Sequence, residues 1–198
     1  MNINVLLFDR FETLDAMGPV EMLARPANYT VGFFSIEGGT VTSSQGVPVV
    51  TRPISDIDRT GTLLLPGGWG VRGLDSDRAF LTTLKSLADD AEWVLSVCNG
   101  SVLLSACGAL DERKATSNKK LFQDALDSSG NVAWVQRARW VVDGKFYTAS
   151  GVSAGIDMAL GFMSDRLGRA EAEETATATE YLWNDDPTND PFYQSSIS

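Results

Sequence analysis

Short apolar runs alternate along this chain with segments in which apolar residues recur at helical spacing. The apolar runs predict strands over residues 3–8, 29–36, 40–42, 47–50, 62–65, 93–97, 132–135, 138–142 and 145–148. The helical spacing predicts helices from about residue 18, over 76–90, 98–108, 119–127 and 152–167, and from 168 to about 183. This alternation is typical of an α/β fold, in which a mostly parallel sheet carries helices on both faces.

We expect residues 1–198 to form a single domain, because no internal repeat and no low-complexity linker interrupts the alternation. In open parallel sheets, binding sites lie at the carboxyl ends of the strands. Three predicted loops reach that edge: the segment with Asp15, the glycine-rich segment 66–68 and the corner at Cys98. The sequence therefore predicts a carboxylate, a backbone donor loop and a thiol at one site.

Cys98 lies where one apolar run ends and the next begins without a linker. The pattern predicts a buried strand that turns sharply into a helix, and the small residues Ser96 and Gly100 leave room for that turn. This arrangement is typical of a nucleophile elbow. At a helix N-terminus, unpaired N–H groups and the helix dipole favour the thiolate, which is the reactive form. The alternative is a cysteine that packs as a small hydrophobic residue.

Asp15 precedes the predicted start of a helix, so it is either a capping residue or a proton partner for Cys98. A carboxylate beside a thiol raises the pKa of the thiol by like-charge repulsion, and the two groups then titrate as a pair. Such a pair suits a nucleophile that must attack and then have a proton delivered nearby. Glu12, the rival carboxylate, is interpreted as a surface residue.

Backbone N–H groups at the same edge supply a second element of the predicted site. An oxyanion-type hole is predicted to form from the backbone N–H groups of Gly67, Gly68 and Asn99. The alternative is that the two glycines form only a tight turn. Trp69 is predicted to be a pocket wall or a dimer contact. Cys107 lies inside an apolar helical segment, where we expect it to pack rather than react.

The charge balance limits the partners. Sixteen basic and 26 acidic residues give a formal charge of −10, which argues against nucleic acid and anionic membranes. No apolar run approaches the roughly 20 residues that span a bilayer, and the N-terminus does not resemble a signal peptide. We therefore expect a cytoplasmic protein with reduced thiols and a small-molecule substrate.

The chain contains no histidine. This composition excludes a Ser-His-Asp or Cys-His catalytic group supplied by this polypeptide. It also removes the commonest zinc ligand, and two scattered cysteines do not replace it, so no metal site is predicted.

Several of these segments resemble the ThiJ/PfpI superfamily, which has a class I glutamine amidotransferase-like, flavodoxin-like α/β fold. The resemblance covers nearly the whole chain and is carried by residues 14–19, 65–68, 96–101, 114–116 and 154–160. Within the superfamily, the chain is most similar to the isocyanide (isonitrile) hydratase branch, which the closing segment 180–183 also fits.

The resemblance implies a reaction and assigns residues to it. Cys98 matches the nucleophile, Asp15 the carboxylate beside it, Asn99 the residue after the nucleophile and Gly68 the loop donor. The implied activity is that of a lyase that hydrates an isocyanide to an N-substituted formamide through a covalent thioimidate. The resemblance further implies a homodimer that needs no metal and no organic cofactor.

Two positions depart from the hydratase pattern: Asn99 stands in place of a threonine, and Asn118 in place of a histidine. Two other functions remain open from the sequence. The first is a redox or stress-response protein of the same superfamily, in which Cys98 is oxidised to a sulfenic or sulfinic acid without isocyanide turnover. The second is a ligand-sensing module like the regulatory domain of certain transcription factors, which the negative charge opposes.

Overall fold

Strands and helices alternate along the chain in the computed structural model, which describes residues 1–128 and 130–193. The strands are β1 (Asn2–Leu6), β2 (Thr30–Ser35), β3 (Glu37–Thr42), β4 (Pro48–Pro53), β5 (Thr62–Leu65), β6 (Trp93–Val97), β7 (Lys114–Ala115), β8 (Ala133–Trp134), β9 (Trp140–Asp143) and β10 (Phe146–Ala149). The helices are α1 (Thr13–Leu23), α2 (Val71–Leu74), α3 (Arg78–Asp90), α4 (Gly100–Ala106), α5 (Phe122–Leu126), α6 (Ala154–Leu167) and α7 (Arg169–Ala178), and a 3₁₀ turn spans Ile54–Asp56.

Eight of these strands form one sheet in the order β3-β4-β2-β1-β5-β6-β10-β9. The six strands from β4 to β10 in that order pair in parallel. Only the two outermost strands, β3 and β9, pair antiparallel with their neighbours. The short strands β7 and β8 form a separate parallel pair. The mostly parallel α/β sheet predicted from the sequence is confirmed.

The central strands β1 and β6 are buried at every residue except the first, which shows that both faces of the sheet are covered. Every residue of β5 and β10 is buried, as is typical of a parallel sheet between two layers of helices. Helices α1, α6 and α7 pack together as one group, and α2, α3, α4 and α5 pack as another. Within the described residues, no helix is both long and apolar enough to cross a membrane.

Helix α1 begins five residues earlier than the sequence predicts. The expected start near Gly18 followed from the preference of proline for the first helical turn, but Pro19 lies inside the helix. The earlier start is stabilised from outside the helix, because the Thr13 N–H donates to the side chain of Gln45, 3.0 Å away. As a result Asp15 lies within the first turn of α1 and not before it.

Helix α7 ends at Ala178, five residues before the predicted end at Trp183. The chain turns there because Glu180 adopts a positive φ of 52° and the Tyr181 N–H donates back to a carbonyl of the last helical turn. The segment that follows folds onto α6, where the Tyr181 hydroxyl donates to Asp157 at 3.0 Å.

A buried ion pair fastens this C-terminal segment to the domain. Arg139 and Asp157 are 4% and 0% exposed, and the Arg139 Nε donates to the Asp157 carboxylate at 2.6 Å. The same carboxylate accepts from the Tyr181 hydroxyl and from the Asn184 N–H, each at 3.0 Å. Asp190 places a second carboxylate 3.5 Å from the guanidinium. The pair is therefore surrounded by partners from residues 181–190.

The backbone of Arg139 links the same segment to the edge of the sheet. Its N–H donates to the Pro187 carbonyl, and its carbonyl accepts from the Ser150 N–H, both at 2.8 Å. Ser150 directly follows β10, so the C-terminal segment supports the loop at the carboxyl end of this strand.

We expect Asp157→Ala to lower the free energy of unfolding by about 3–5 kcal/mol, because it leaves the Arg139 guanidinium buried without its main partner. Urea denaturation measures the change. Glu21→Ala is the matched control, since Glu21 pairs with Arg25 at the exposed surface of α1 and its loss should cost less than about 1 kcal/mol. Equal losses of unfolding free energy in the two variants would contradict the conclusion that the buried ion pair stabilises the fold.

Candidate active site

Cys98 occupies the corner between β6 and α4 in a strained backbone conformation. Its φ is +58°, in the left-handed region that residues other than glycine rarely adopt. Hydrogen bonds hold this corner from both sides: the Cys98 N–H donates to the Ser150 carbonyl at 2.6 Å, and the Cys98 carbonyl accepts from the hydroxyls of Ser101 and Ser117 at 3.1 Å. The predicted strand-to-helix elbow is therefore present and rigidly fixed.

Two glycines make the space that this corner requires. A Cβ on Gly100 would lie 2.8 Å from the carbonyl oxygens of Leu65 and Pro66, so a side chain there would collide across the turn as the sequence predicts. A Cβ on Gly151 would lie 3.0 Å from the Cys98 sulfur. The second glycine was not predicted, and it keeps one side of the sulfur uncovered.

Asp15 lies beneath the sulfur on the first turn of α1 and is completely buried. One carboxylate oxygen accepts a hydrogen bond from the Gly67 N–H at 3.0 Å, and the other has no partner among the described residues. Burial raises the pKa of this carboxyl group well above its usual range, although the Gly67 N–H opposes the shift. The structure thus brings the predicted thiol and carboxylate together.

The Cys98 thiol also holds its proton more tightly than a thiol in water. Burial raises its pKa well above the usual value and the neighbouring Asp15 raises it further, whereas the Asn99 N–H and the Asn118 amide lower it. The expectation that a helix N-terminus would favour the thiolate is therefore wrong for the resting site. Helix α4 has only seven residues, and burial and the adjacent carboxylate are the two largest influences on the pKa of Cys98.

The backbone donors predicted for an oxyanion hole are engaged within the protein. The Gly67 N–H bonds to Asp15, and the Gly68 N–H donates to the side-chain oxygen of Asn99 at 2.8 Å. The Asn99 side chain donates back to the Gly68 carbonyl at 3.2 Å. Neither glycine N–H is therefore available to an oxyanion in this arrangement. The Asn99 backbone N–H remains beside the sulfur.

A small cavity of about 140 Å³ opens above the sulfur. Its apolar wall is made by Trp69, Leu121 and Val152, and its polar positions are Glu12, Gly68, Cys98, Asn99, Asn118 and Lys120. A larger cleft of about 610 Å³ lies between β9, α6 and the C-terminal segment, but it contains none of the predicted site residues. We therefore identify the smaller cavity as the candidate active site.

Sequence reasoning missed Glu12 as a site residue. It is half-buried at the start of α1 and lines the cavity, while its carboxylate accepts from the Gln45 side chain at 2.8 Å. Its position on the cavity corrects the interpretation of Glu12 as a surface residue. The three-residue spacing from Asp15, read as one turn of a helix, could have indicated that both carboxylates face the same site.

Comparison with known proteins adds to this geometry. The model of the DJ-1/PfpI family matches residues 1–165. The chain is 33% identical over 182 residues to the isonitrile hydratase of Pseudomonas putida. The aligned region covers 91% of this chain and 78% of that protein. It is 26% identical over 152 residues to a deglycase of Thermococcus kodakarensis. That alignment covers 75% of this chain and 89% of the deglycase.

A solved structure gives the same result for the fold. The crystal structure of a ThiJ/PfpI family protein from Pseudomonas syringae superposes with a TM-score of 0.79 at 27% identity. The match covers 98% of this chain and 78% of that protein.

We expect Asp15→Asn to move the alkylation of Cys98 to lower pH, because the variant removes the negative charge that raises the pKa of the thiol. The rate of iodoacetamide labelling as a function of pH measures the midpoint. Cys107 serves as an internal reference, since burial raises its pKa to about 11 and it does not line the cavity. A Cys98 midpoint that stays at the wild-type pH would show that the two groups do not interact.

Proposed function

The chain belongs to the DJ-1/PfpI family, and from this membership we propose that it is a cysteine-dependent hydratase that converts an isocyanide to an N-substituted formamide. The observation that carries the proposal is a thiol and a buried carboxyl group that share one site under a small, mostly apolar cavity. The similarity to an isonitrile hydratase over most of the chain supports the choice of reaction.

The first half of the reaction adds the thiol across the terminal carbon of the isocyanide. With the Asp15 carboxylate ionised, the raised pKa of Cys98 keeps one proton on the sulfur. Asp15 takes this proton as the sulfur attacks the carbon and then delivers it to the same carbon. The product is a thioimidate in which an S–C bond and a C–H bond have formed and Asp15 is again ionised.

The second half hydrolyses the thioimidate. Asp15 removes a proton from water as the oxygen attacks the thioimidate carbon, and it passes that proton to the nitrogen. Collapse of the tetrahedral intermediate breaks the S–C bond, and the hydroxyl proton returns to the sulfur through Asp15. The sum is one isocyanide and one water converted to one formamide. Every proton passes through one carboxyl group, so the scheme invokes no histidine, metal or organic cofactor.

The cavity suits a small, uncharged substituent on the isocyanide nitrogen. Trp69, Leu121 and Val152 supply apolar surface, and the pocket is only about 140 Å³ in volume. Pockets of this kind bind mainly by removing apolar surface from water, and a few polar groups fix the orientation. We therefore propose short alkyl or aryl isocyanides as the substrate class.

A second candidate function is oxidation of Cys98 to a sulfenic or sulfinic acid, as in the redox alternative. The observation in its favour is the buried Asp15 carboxyl group beside the sulfur, because a protonated carboxyl group donates a hydrogen bond to an oxygen added to the sulfur. Mild peroxide should then add oxygen at Cys98 before Cys107, as intact-mass and peptide spectra would show. Oxidation of Cys107 first would contradict this function.

We further propose that the protein acts as a homodimer in the cytoplasm. Both cysteines are present as free thiols, which suits a reducing compartment. The dimer follows from the resemblance to the hydratase branch, and sedimentation analysis would test it.

We expect Cys98→Ala to abolish formamide production and Asp15→Asn to lower kcat by about 10²- to 10⁴-fold, because each removes a group that the scheme uses in every cycle. Turnover of alkyl and aryl isocyanides is followed by the appearance of the formamide. Cys107→Ser is the control and should retain wild-type turnover, since Cys107 lies outside the cavity. An inactive wild-type protein across a panel of isocyanides would rule out the hydratase.

A further inference from the structure

Asn118 lines the cavity, and its side chain faces the Cys98 sulfur. It follows Thr116 and Ser117, which are tied into the fold because the Thr116 N–H donates to Thr148 on β10 at 2.9 Å and the Ser117 hydroxyl donates to the Cys98 carbonyl. The segment that carries Asn118 is therefore fixed to the same backbone that positions the nucleophile.

The orientation of the Asn118 amide is set by its other hydrogen bond. Its side-chain oxygen accepts from the Leu121 N–H at 3.0 Å, which leaves the NH₂ group to point into the cavity. A cavity group facing this nitrogen therefore meets a hydrogen-bond donor and not an acceptor. The interaction with Asn118 accordingly favours the charged form of the Cys98 thiol.

Gly151 allows the amide to come close to the sulfur. A Cβ at this position would lie 2.4 Å from the Asn118 nitrogen and 3.0 Å from the Cys98 sulfur, so both atoms converge on the same point. Any side chain at residue 151 would separate the two groups.

We infer that Asn118 is a catalytic residue, whose amide donates a hydrogen bond to the Cys98 sulfur whenever the sulfur carries negative charge. The inference rests on the proposed hydratase and deepens it. Negative charge develops on the sulfur twice in each cycle, once as Asp15 takes the proton during the attack on the isocyanide and again as the S–C bond breaks. An amide that cannot titrate stabilises the charge at both moments and leaves the proton to Asp15.

The charged surroundings of the sulfur make a neutral donor useful. The titratable groups that face it are Asp15 below, Glu12 at the start of α1 and Lys120 on the cavity wall. Asp15 and Glu12 both raise the pKa of the thiol. Asn118 and the Asn99 backbone N–H are the two donors that act in the opposite direction.

Replacement of Asn118 tests the inference by two independent measurements. In Asn118→Ala, the midpoint of Cys98 alkylation by iodoacetamide should move to higher pH, and kcat for isocyanide hydration should fall about 10- to 100-fold, as for the loss of one hydrogen bond to a charged group. Asn118→Asp keeps an acceptor for the Leu121 N–H but replaces the donor by a negative charge. It should move the midpoint further in the same direction.

The outcomes separate this inference from the proposed function. If both variants alkylate with the wild-type midpoint, Asn118 only supports the loop and the inference is wrong, whatever their KM or thermal stability. If the midpoint moves but the wild-type protein hydrates no isocyanide, the donor role stands and the hydratase fails. Asn131→Ala, an exposed asparagine outside the cavity, is the control and should match the wild type in both measurements.

Discussion

Cys98 and Asp15 lie against each other almost out of contact with water, and two negative charges in that position would repel each other strongly. The pair therefore retains one proton that either group can hold, and this shared proton is the basis of the proposed chemistry. A thiol in water loses its proton near its ordinary pKa, and a catalytic thiol then relies on a neighbouring group to take the proton and return it. Here the Asp15 carboxyl group takes this part, which suits a chain that contains no histidine.

Backbone groups and glycines, more than side chains, position the Cys98–Asp15 pair and leave space around it. The Gly67 N–H holds the carboxylate, the Ser150 carbonyl holds the Cys98 N–H, and Gly100 and Gly151 leave the space that the elbow and the substrate need. Each of these groups lies in a loop at the carboxyl end of a strand or at the start of a helix. The parallel sheet thus brings into one site residues that are up to 136 positions apart, from Asp15 to Gly151.

The parts of this structure that local sequence determines could be predicted, and the parts that depend on distant partners could not. The buried strands and the elbow at Cys98 follow from apolar runs and small residues. The early start of α1 depends on Gln45 from the β3–β4 hairpin, so the helix signal at Pro19 was misleading. The position of Glu12 on the cavity was also missed. The engagement of the glycine donors by Asp15 and Asn99 likewise arises only after folding.

The ion pair of Arg139 and Asp157 has a consequence for how the chain is made. Its further partners, Tyr181, Asn184 and Asp190, are synthesised after every strand of the sheet. A nascent chain that ends before them would have to bury the two charges with fewer hydrogen bonds, or leave them in water. The loop after β10, which holds the Cys98 N–H, is therefore supported through Arg139 by a segment of the chain that is synthesised later.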